Sequence, residues 1–192
     1  MKIDIYDFDK TIVPYDSAIT FYKWCLVHYP KTILLMPAQF VWALLACLKI
    51  ISLQKFKKYC FNFIGLINTE EAVKKFWDAH EKDVYPFIRK GNRKSDNKVV
   101  IISASPEFLI KEIASRLEID YCLATKHDEK TGIIQEEICR KERKVEKLME
   151  LGLDAEVENV FSDNKKNDRP IFFLGKNCYL AKKGTLSEIT IK

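Results

Sequence analysis

A chain of 192 residues has room for one α/β core and a modest insertion, but not for two full domains. With 47% hydrophobic and 31% charged residues, its composition is globular, which excludes a disordered or fibrous chain. The net charge of +5 suits an anionic substrate or surface and equally suits solvated lysines on helix faces; with no Lys/Arg run interleaved with aromatics, no nucleic-acid partner is expected.

Residues 2–8 alternate apolar and polar and are rich in β-formers, which predicts strand one. From Asp16 to about Arg89 the pattern is helical and aromatic, punctuated by Pro30, Pro37 and Pro86, with Thr69 as an expected N-cap before Glu70 and Glu71. Residues 91–97 read as a polar linker. Residues 98–102, Lys-Val-Val-Ile-Ile, read as a buried parallel strand, and Ser105-Pro106-Glu107 as the capped start of a helix running to about Leu117. A short strand is expected over 119–124, a turn at Lys130-Thr131-Gly132, and a helix over 141–151 ended by Gly152. A strand over 157–161, a helix around 169–174 and a strand over 178–181 complete the pattern. Strands alternating with helices predict an α/β fold with a Rossmann-like parallel sheet. The helical stretch is then an insertion after strand one. The expected division is a catalytic core of residues 1–15 and 91–192 and a helical cap of residues 16–90.

The six cysteines, Cys25, Cys47, Cys60, Cys122, Cys139 and Cys178, form no C-x-x-C pair and read as thiols of a reducing compartment. His28, His80 and His127 are too scattered for a His-based zinc site. The N-terminus runs straight into a strand with no secretory signal, so a cytoplasmic location is expected. The open alternative is membrane association.

Four groups of chemically useful residues stand at the ends of the expected strands or beside them: Asp7-Phe8-Asp9-Lys10-Thr11, Ser103, Lys144, and Asp163 with Asp168. The carboxyl edge of an open α/β sheet is where ligands bind, so these groups can converge. Asp7 and Asp9, two apart at a strand end, are expected to lean to one side. With Asp163 they make the oxygen-rich donor set that Mg²⁺ prefers. Asp7 can attack phosphorus, Asp9 can protonate the leaving oxygen and later activate water, and Ser103 with the backbone beside it at Ala104 can hold phosphoryl oxygens. Lys144 would offset the phosphoryl charge, with Lys141 a nearby competitor.

In this order, Asp7-x-Asp9-x-Thr11, Ser103, Lys144 and Asp163…Asp168 resemble the four motifs of the haloacid dehalogenase superfamily. The Ile102-Ser103-Ala104-Ser105-Pro106 segment and the insertion after strand one resemble its phosphoserine-phosphatase-like subfamily IB with a type-one cap. Cys139-x-x-x-x-Lys144-Val145, Ser162-Asp163-Asn164, Asp168-x-Pro170 and the apolar stretch after Tyr29-Pro30 are similar to phosphatidylglycerophosphatase C-type proteins. The resemblance implies Asp7 as nucleophile, Asp9 as acid/base, and a magnesium site of Asp7, Asp9 (through its backbone carbonyl), Asp163 and Asp168. It also implies a phosphate site of Ser103, Ala104, Lys144 and Asn167. The expected function is magnesium-dependent hydrolysis of a phosphate monoester, from a small metabolite or a lipid, through an aspartyl-phosphate. A non-catalytic phosphate- or protein-binding module of the same fold is the alternative. An Asp at position 9 disfavours dehalogenase chemistry. A receiver domain is disfavoured because Asp7 follows the first strand.

Residues 32–48 carry no charge and are apolar on all sides, so protein or lipid must cover them. Lys23, Lys31, Lys49, Lys55, Lys57 and Lys58 flank them, and Pro37 interrupts them early. Two readings stand: a helix packed inside the cap or against a homodimer partner, and peripheral membrane contact by a cap facing a lipid phosphate.

Overall fold

The computed structural model describes residues 2–52, 56, 60–154 and 156–191. Six strands form one sheet: β1 (Ile3–Asp7), β2 (Lys98–Pro106), β3 (Tyr121–Thr125), β4 (Val157–Ser162), β5 (Asn177–Lys182) and β6 (Thr185–Ile189). Their order is β3-β2-β1-β4-β5-β6. Every pairing is parallel except β5 with β6. The α/β fold with a mostly parallel sheet is therefore as expected. β6 was not foreseen. It returns through Lys183 and Gly184, both at positive φ, and a two-residue hairpin needs that backbone.

β1 lies between β2 and β4, and all five of its residues are buried. The apolar/polar alternation read in this strand therefore does not mark a solvent face. Tyr6 stacks on Phe161 with ring centroids 4.1 Å apart. The Asp4 carboxylate accepts hydrogen bonds from Ser95 Oγ (2.7 Å), Asn97 Nδ2 (2.9 Å) and Asn159 Nδ2 (2.8 Å). The expected linker over 91–97 is thus tied into the core, because a buried carboxylate needs its lone pairs satisfied.

Between β1 and β2 stand α1 (Ser17–His28), a 3₁₀ turn (Pro30–Leu35), α2 (Met36–Cys47), a second 3₁₀ turn (Asn62–Leu66) and α3 (Thr69–His80). Asp16 caps α1 by accepting from the Ile19 amide. The cap of α3 is Asn68, one residue before the expected Thr69, with Glu70 and Glu71 in the first turn. Phe21 of α1 and Phe76 and Trp77 of α3 join Phe8, Ile12, Leu109 and Ile110 in one apolar cluster. Trp77 Nε1 donates to the Leu109 carbonyl at 2.8 Å. The insertion therefore shares its core with one side of the sheet. α4 (Glu107–Arg116), α5 (Glu142–Glu150) and α6 (Arg169–Phe172) complete the crossovers, and a second cluster gathers Ile5, Ile102, Leu148, Val160 and Phe172.

α2 departs from this pattern, since none of its residues is buried. Phe40 is 71% exposed and Leu44 49%. The reading that packs residues 32–48 inside the cap is corrected here: only Thr32 of the stretch is buried. Of the flanking lysines, Lys55, Lys57 and Lys58 lie outside the described residues.

Candidate active site

β1 ends in Asp7 at the carboxyl edge of the sheet, where the strand order reverses and the crossovers diverge. The chain then turns back on itself. Thr11 and Ile12 amides both donate to the Phe8 carbonyl, and Lys10 takes a positive φ of 60°. The turn brings Thr11 Oγ1 to Asp7 Oδ2 at 3.1 Å. Thr11 Oγ1 also accepts from the Asp163 amide at 2.8 Å, fastening the loop after β4 to the loop after β1.

Lys144 enters from the first turn of α5. Its Nζ lies 2.6 Å from Asp7 Oδ1 and 2.8 Å from Asp168 Oδ1, with the side chain almost wholly buried. Lys141 is exposed at the mouth of α5, so Lys144 is the lysine of the site. Asp168 is held from behind by Ser162 Oγ at 2.5 Å. Asp7, Asp163 and Asp168 each offer an oxygen within 4.8 Å of the others.

The electrostatics follow from three neighbouring carboxylates, two of which touch one ammonium. Burial pushes Asp7 above the usual carboxylate range; Lys144 opposes this, and Asp168 and Asp9 add to it. Asp163 is raised by burial and then by Asp168. Burial works against the Lys144 ammonium, but Asp7 and Asp168 outweigh it and hold its pKa above the ordinary lysine value. One cation among three acids leaves excess negative charge in a poorly solvated place. Hard carboxylate oxygens at this spacing fit a small divalent cation such as Mg²⁺, which completes its shell with water and substrate oxygens.

Asp9 stands apart from that cluster. Its Oδ1 accepts from the Ser17 amide at 2.7 Å and its Oδ2 from Ser105 Oγ at 2.6 Å. Asp9 is near enough to raise the Asp7 carboxyl, yet its side chain is not among the three carboxylates that lie within 4.8 Å of one another. Burial raises the Asp9 carboxyl, and the bonds from Ser105 and Ser17 partly offset this.

Ser105 and Ser17 were missed as site residues. Ser105 read as a helix cap, but β2 runs on through Pro106 and the α4 cap has no side-chain bond. A usable signal was present: Ser103 and Ser105 are two apart on a strand and share a face. Ser103 Oγ accepts from the Ser105 amide at 3.1 Å. Against β3 the register shifts between Ile102 and Pro106, and Ala104 is left exposed while its carbonyl accepts from Thr125 Oγ1 at 2.8 Å. Asn167 sits half-buried beside Asp168, with its Oδ1 3.4 Å from Arg140 Nη2 and its amide bonded to Asn164 Oδ1 at 3.0 Å. Lys144 thus contacts Asp7 and Ser103 follows Ile102, the β2 residue paired with Asp7, while Ala104 is solvent-exposed and Asn167 faces Arg140.

A parallel sheet with an acidic, lysine-bridged site at its carboxyl edge defines a class, and the sequence agrees. The chain matches the family of haloacid dehalogenase-like hydrolases over residues 5–172 and belongs to it. None of the curated proteins compared matches it. Among solved structures it is similar to a protein of unknown function from Bordetella pertussis Tohama I, at 15% identity and a TM-score of 0.67, covering 90% of this chain and 86% of that one. It is similar to a phosphoserine phosphohydrolase-like protein from Francisella tularensis subsp. tularensis SCHU S4, at 16% identity and 0.57, covering 93% and 86%. It is also similar to a probable phosphoserine phosphatase from Vibrio cholerae, at 14% and 0.63, covering 93% of this chain and 55% of that one. At these identities the likeness is one of fold.

Proposed function

We propose that the protein is a magnesium-dependent phosphomonoesterase that works through an aspartyl-phosphate on Asp7. The observation that carries this reading is the division of labour between two aspartates. Asp7 is gripped by Lys144 and Thr11 inside an acidic cluster, and Asp9 is held separately by Ser17 and Ser105. A nucleophile and an acid need such different surroundings.

In this reading an Asp7 oxygen attacks phosphorus, and the bond to the leaving oxygen breaks. Asp9 gives that oxygen its proton, then takes one from the water that attacks the phosphoryl group and frees Asp7. Lys144 and the hydroxyl of Ser103 hold the phosphoryl oxygens, with Ala104 and Asn167 at the edge of the phosphate site. Mg²⁺, held by Asp7, Asp163 and Asp168, would supply charge neutralisation between the carboxylate and the phosphate. The substrate is a small phosphorylated metabolite or a lipid phosphate; the likeness to phosphatidylglycerophosphatase C-type motifs supports the latter. The six cysteines, none of them in a C-x-x-C pair, suit a reducing, cytoplasmic compartment.

Release of phosphate from an aryl phosphate, with and without Mg²⁺, tests the reading. Asp7→Asn should abolish turnover with an unchanged circular dichroism spectrum, because an amide cannot carry the phosphoryl group. Near-normal turnover in that variant, a phosphoryl group trapped elsewhere, or full activity in excess chelator would refute it. A non-catalytic module would release no phosphate from any ester.

A further inference from the structure

The stretch Pro30–Cys47 has a mean hydropathy of 1.4 and only 6% of it is buried. By length and composition it could cross a membrane. Exposed apolar side chains run from Ile33 and Leu34 through Phe40 and Leu44 to Leu48 and Ile50, while Trp42 lines a cavity. A contiguous apolar surface of this kind marks a contact with lipid or protein. The charges favour lipid. From Ser17 to Thr69 the sequence has no acidic residue, and its six lysines include the exposed Lys23, Lys31 and Lys49 at the two ends of the apolar run. That pattern complements an anionic headgroup layer.

We propose that this arm docks the protein onto an anionic phospholipid surface from one side, dipping into a single leaflet. The way the arm returns argues against a span. Tyr22 Oη donates to Gln39 Oε1 at 2.6 Å, and Gln39 Nε2 donates to the Cys60 carbonyl (3.2 Å) and to Asn62 Oδ1 (3.1 Å). The chain that sets out at Met36 is therefore back beside the start of α2 by Cys60. Phe56, Cys60 and Asn62 with Ala38, Gln39 and Trp42 line a cavity of about 200 Å³ there. α2 itself has 12 residues, roughly 18 Å, against about 30 Å of hydrocarbon.

The arm is mechanically close to the chemistry. The first amide of α1, at Ser17, touches Asp9, and α1 ends at His28 just before the arm begins. About 18 Å of helix separates the two. A docked protein would therefore present its site to phosphate esters lying in the same leaflet; this last step, unlike the docking, rests on the phosphatase reading.

Sedimentation of the full chain with vesicles tests the docking without any turnover. The protein should pellet with phosphatidylcholine vesicles containing phosphatidylserine, and less with phosphatidylcholine alone or at high salt. Phe40→Asp with Leu44→Asp, at exposed positions, should lower partitioning by roughly tenfold or more while the melting temperature and aryl phosphate hydrolysis stay as in the parent. Protein left in the supernatant with both vesicles overturns the proposal. So does unchanged partitioning of the double variant, or a dimer in solution that the double variant dissociates. Ser52→Cys in a Cys47→Ser background should react with a membrane-impermeant maleimide added outside sealed vesicles; reaction only after lysis would mean a span and overturn the one-sided geometry. Docking without phosphate release would sink the phosphatase reading and leave the docking intact.

Discussion

Ser105 illustrates how a single hydroxyl can decide what a carboxylate does. Its Oγ donates to Asp9 Oδ2, and its own amide is steadied by Ser103. Removing that donor takes away one hydrogen bond to a charged group, worth about 1.5–3 kcal/mol. Ser105→Ala should therefore lower kcat by roughly ten- to a hundredfold. The loss should be larger for alkyl than for aryl phosphates, since alkyl leaving groups need the proton more. Equal losses, or a change in KM alone, would mean that Ser105 does not position the acid. That Asp7, Asp163, Asp168 and Lys144 come together could be read from the sequence, because each stands beside the end of an expected strand on one sheet edge. Ser17 and Ser105 could not be read as directly. A serine before Pro-Glu is also a good helix start, and only the continuation of β2 through Pro106 removes that role.

At the scale of an element, the loop from Lys126 to Gln135 clasps the insertion. Its two ends pair through His127 and Ile134, and Thr69 Oγ1 donates to the Glu129 carbonyl at 3.2 Å. Gly132 sits at φ 68°, and a Cβ there would fall 1.8 Å from the Phe61 carbonyl oxygen. Gly132→Ala should cost more than the roughly 1 kcal/mol of a left-handed alanine, read as a lower urea midpoint. Gly91→Ala, also at positive φ but with open space around it, should cost no more than that backbone strain. Similar losses at both positions would discount the clasp. The turn at 130–132 was legible from Lys-Thr-Gly, whereas β6 was not, because Lys183-Gly184 is a weak hairpin signal and the strand is short and half exposed.

His127 in the same loop packs edge-on against Phe61 and Phe108, with ring centroids 5.5 and 5.8 Å away. Burial lowers its pKa, while the bond to the Thr125 carbonyl, Glu136 and Glu107 pull the other way. The folded protein thus takes up the proton less readily than the unfolded chain, whose imidazole titrates near 6.5. Stability is unaffected well above that pH and falls as the pH drops through it toward the folded value. Melting temperatures between pH 7.5 and 5.5 (about the range where an unfolded histidine titrates) should decline less steeply in His127→Gln. An unchanged slope would remove His127 from the acid sensitivity.

Over the whole molecule, opposite ends of the central strand have different duties. Asp7 serves the candidate chemistry, and Asp4, roughly 10 Å away along β1, joins the 95–97 loop and β4. Asp4→Ala strands one buried and two half-buried donors and should destabilise the fold by about 2–4 kcal/mol, seen as a lower urea midpoint. The kcat of the folded fraction should stay within about twofold of the parent, since sites roughly 10 Å apart with no shared partner act independently. A large kcat loss at full folding would show that the two ends are coupled. The parallel sheet and its inserted helices were legible because strand and helix periodicities alternate cleanly. The internal use of polar residues in β1 was not, since a buried Asp4 and a solvent-facing Asp4 leave the same alternating pattern.

The sheet order also sets a timetable. β1 pairs with β2 and β4, with Ile3 opposite both Lys98 and Val157. In chain order β1 precedes one neighbour, β2, by the whole insertion, and the other, β4, by two further crossovers. Until both are made, a strand with two open edges and the aromatic insertion must wait together, and long-range pairings of this kind form slowly. Asp7 is thus made before both of the strands that flank it and is locked in place only when the later of them has paired.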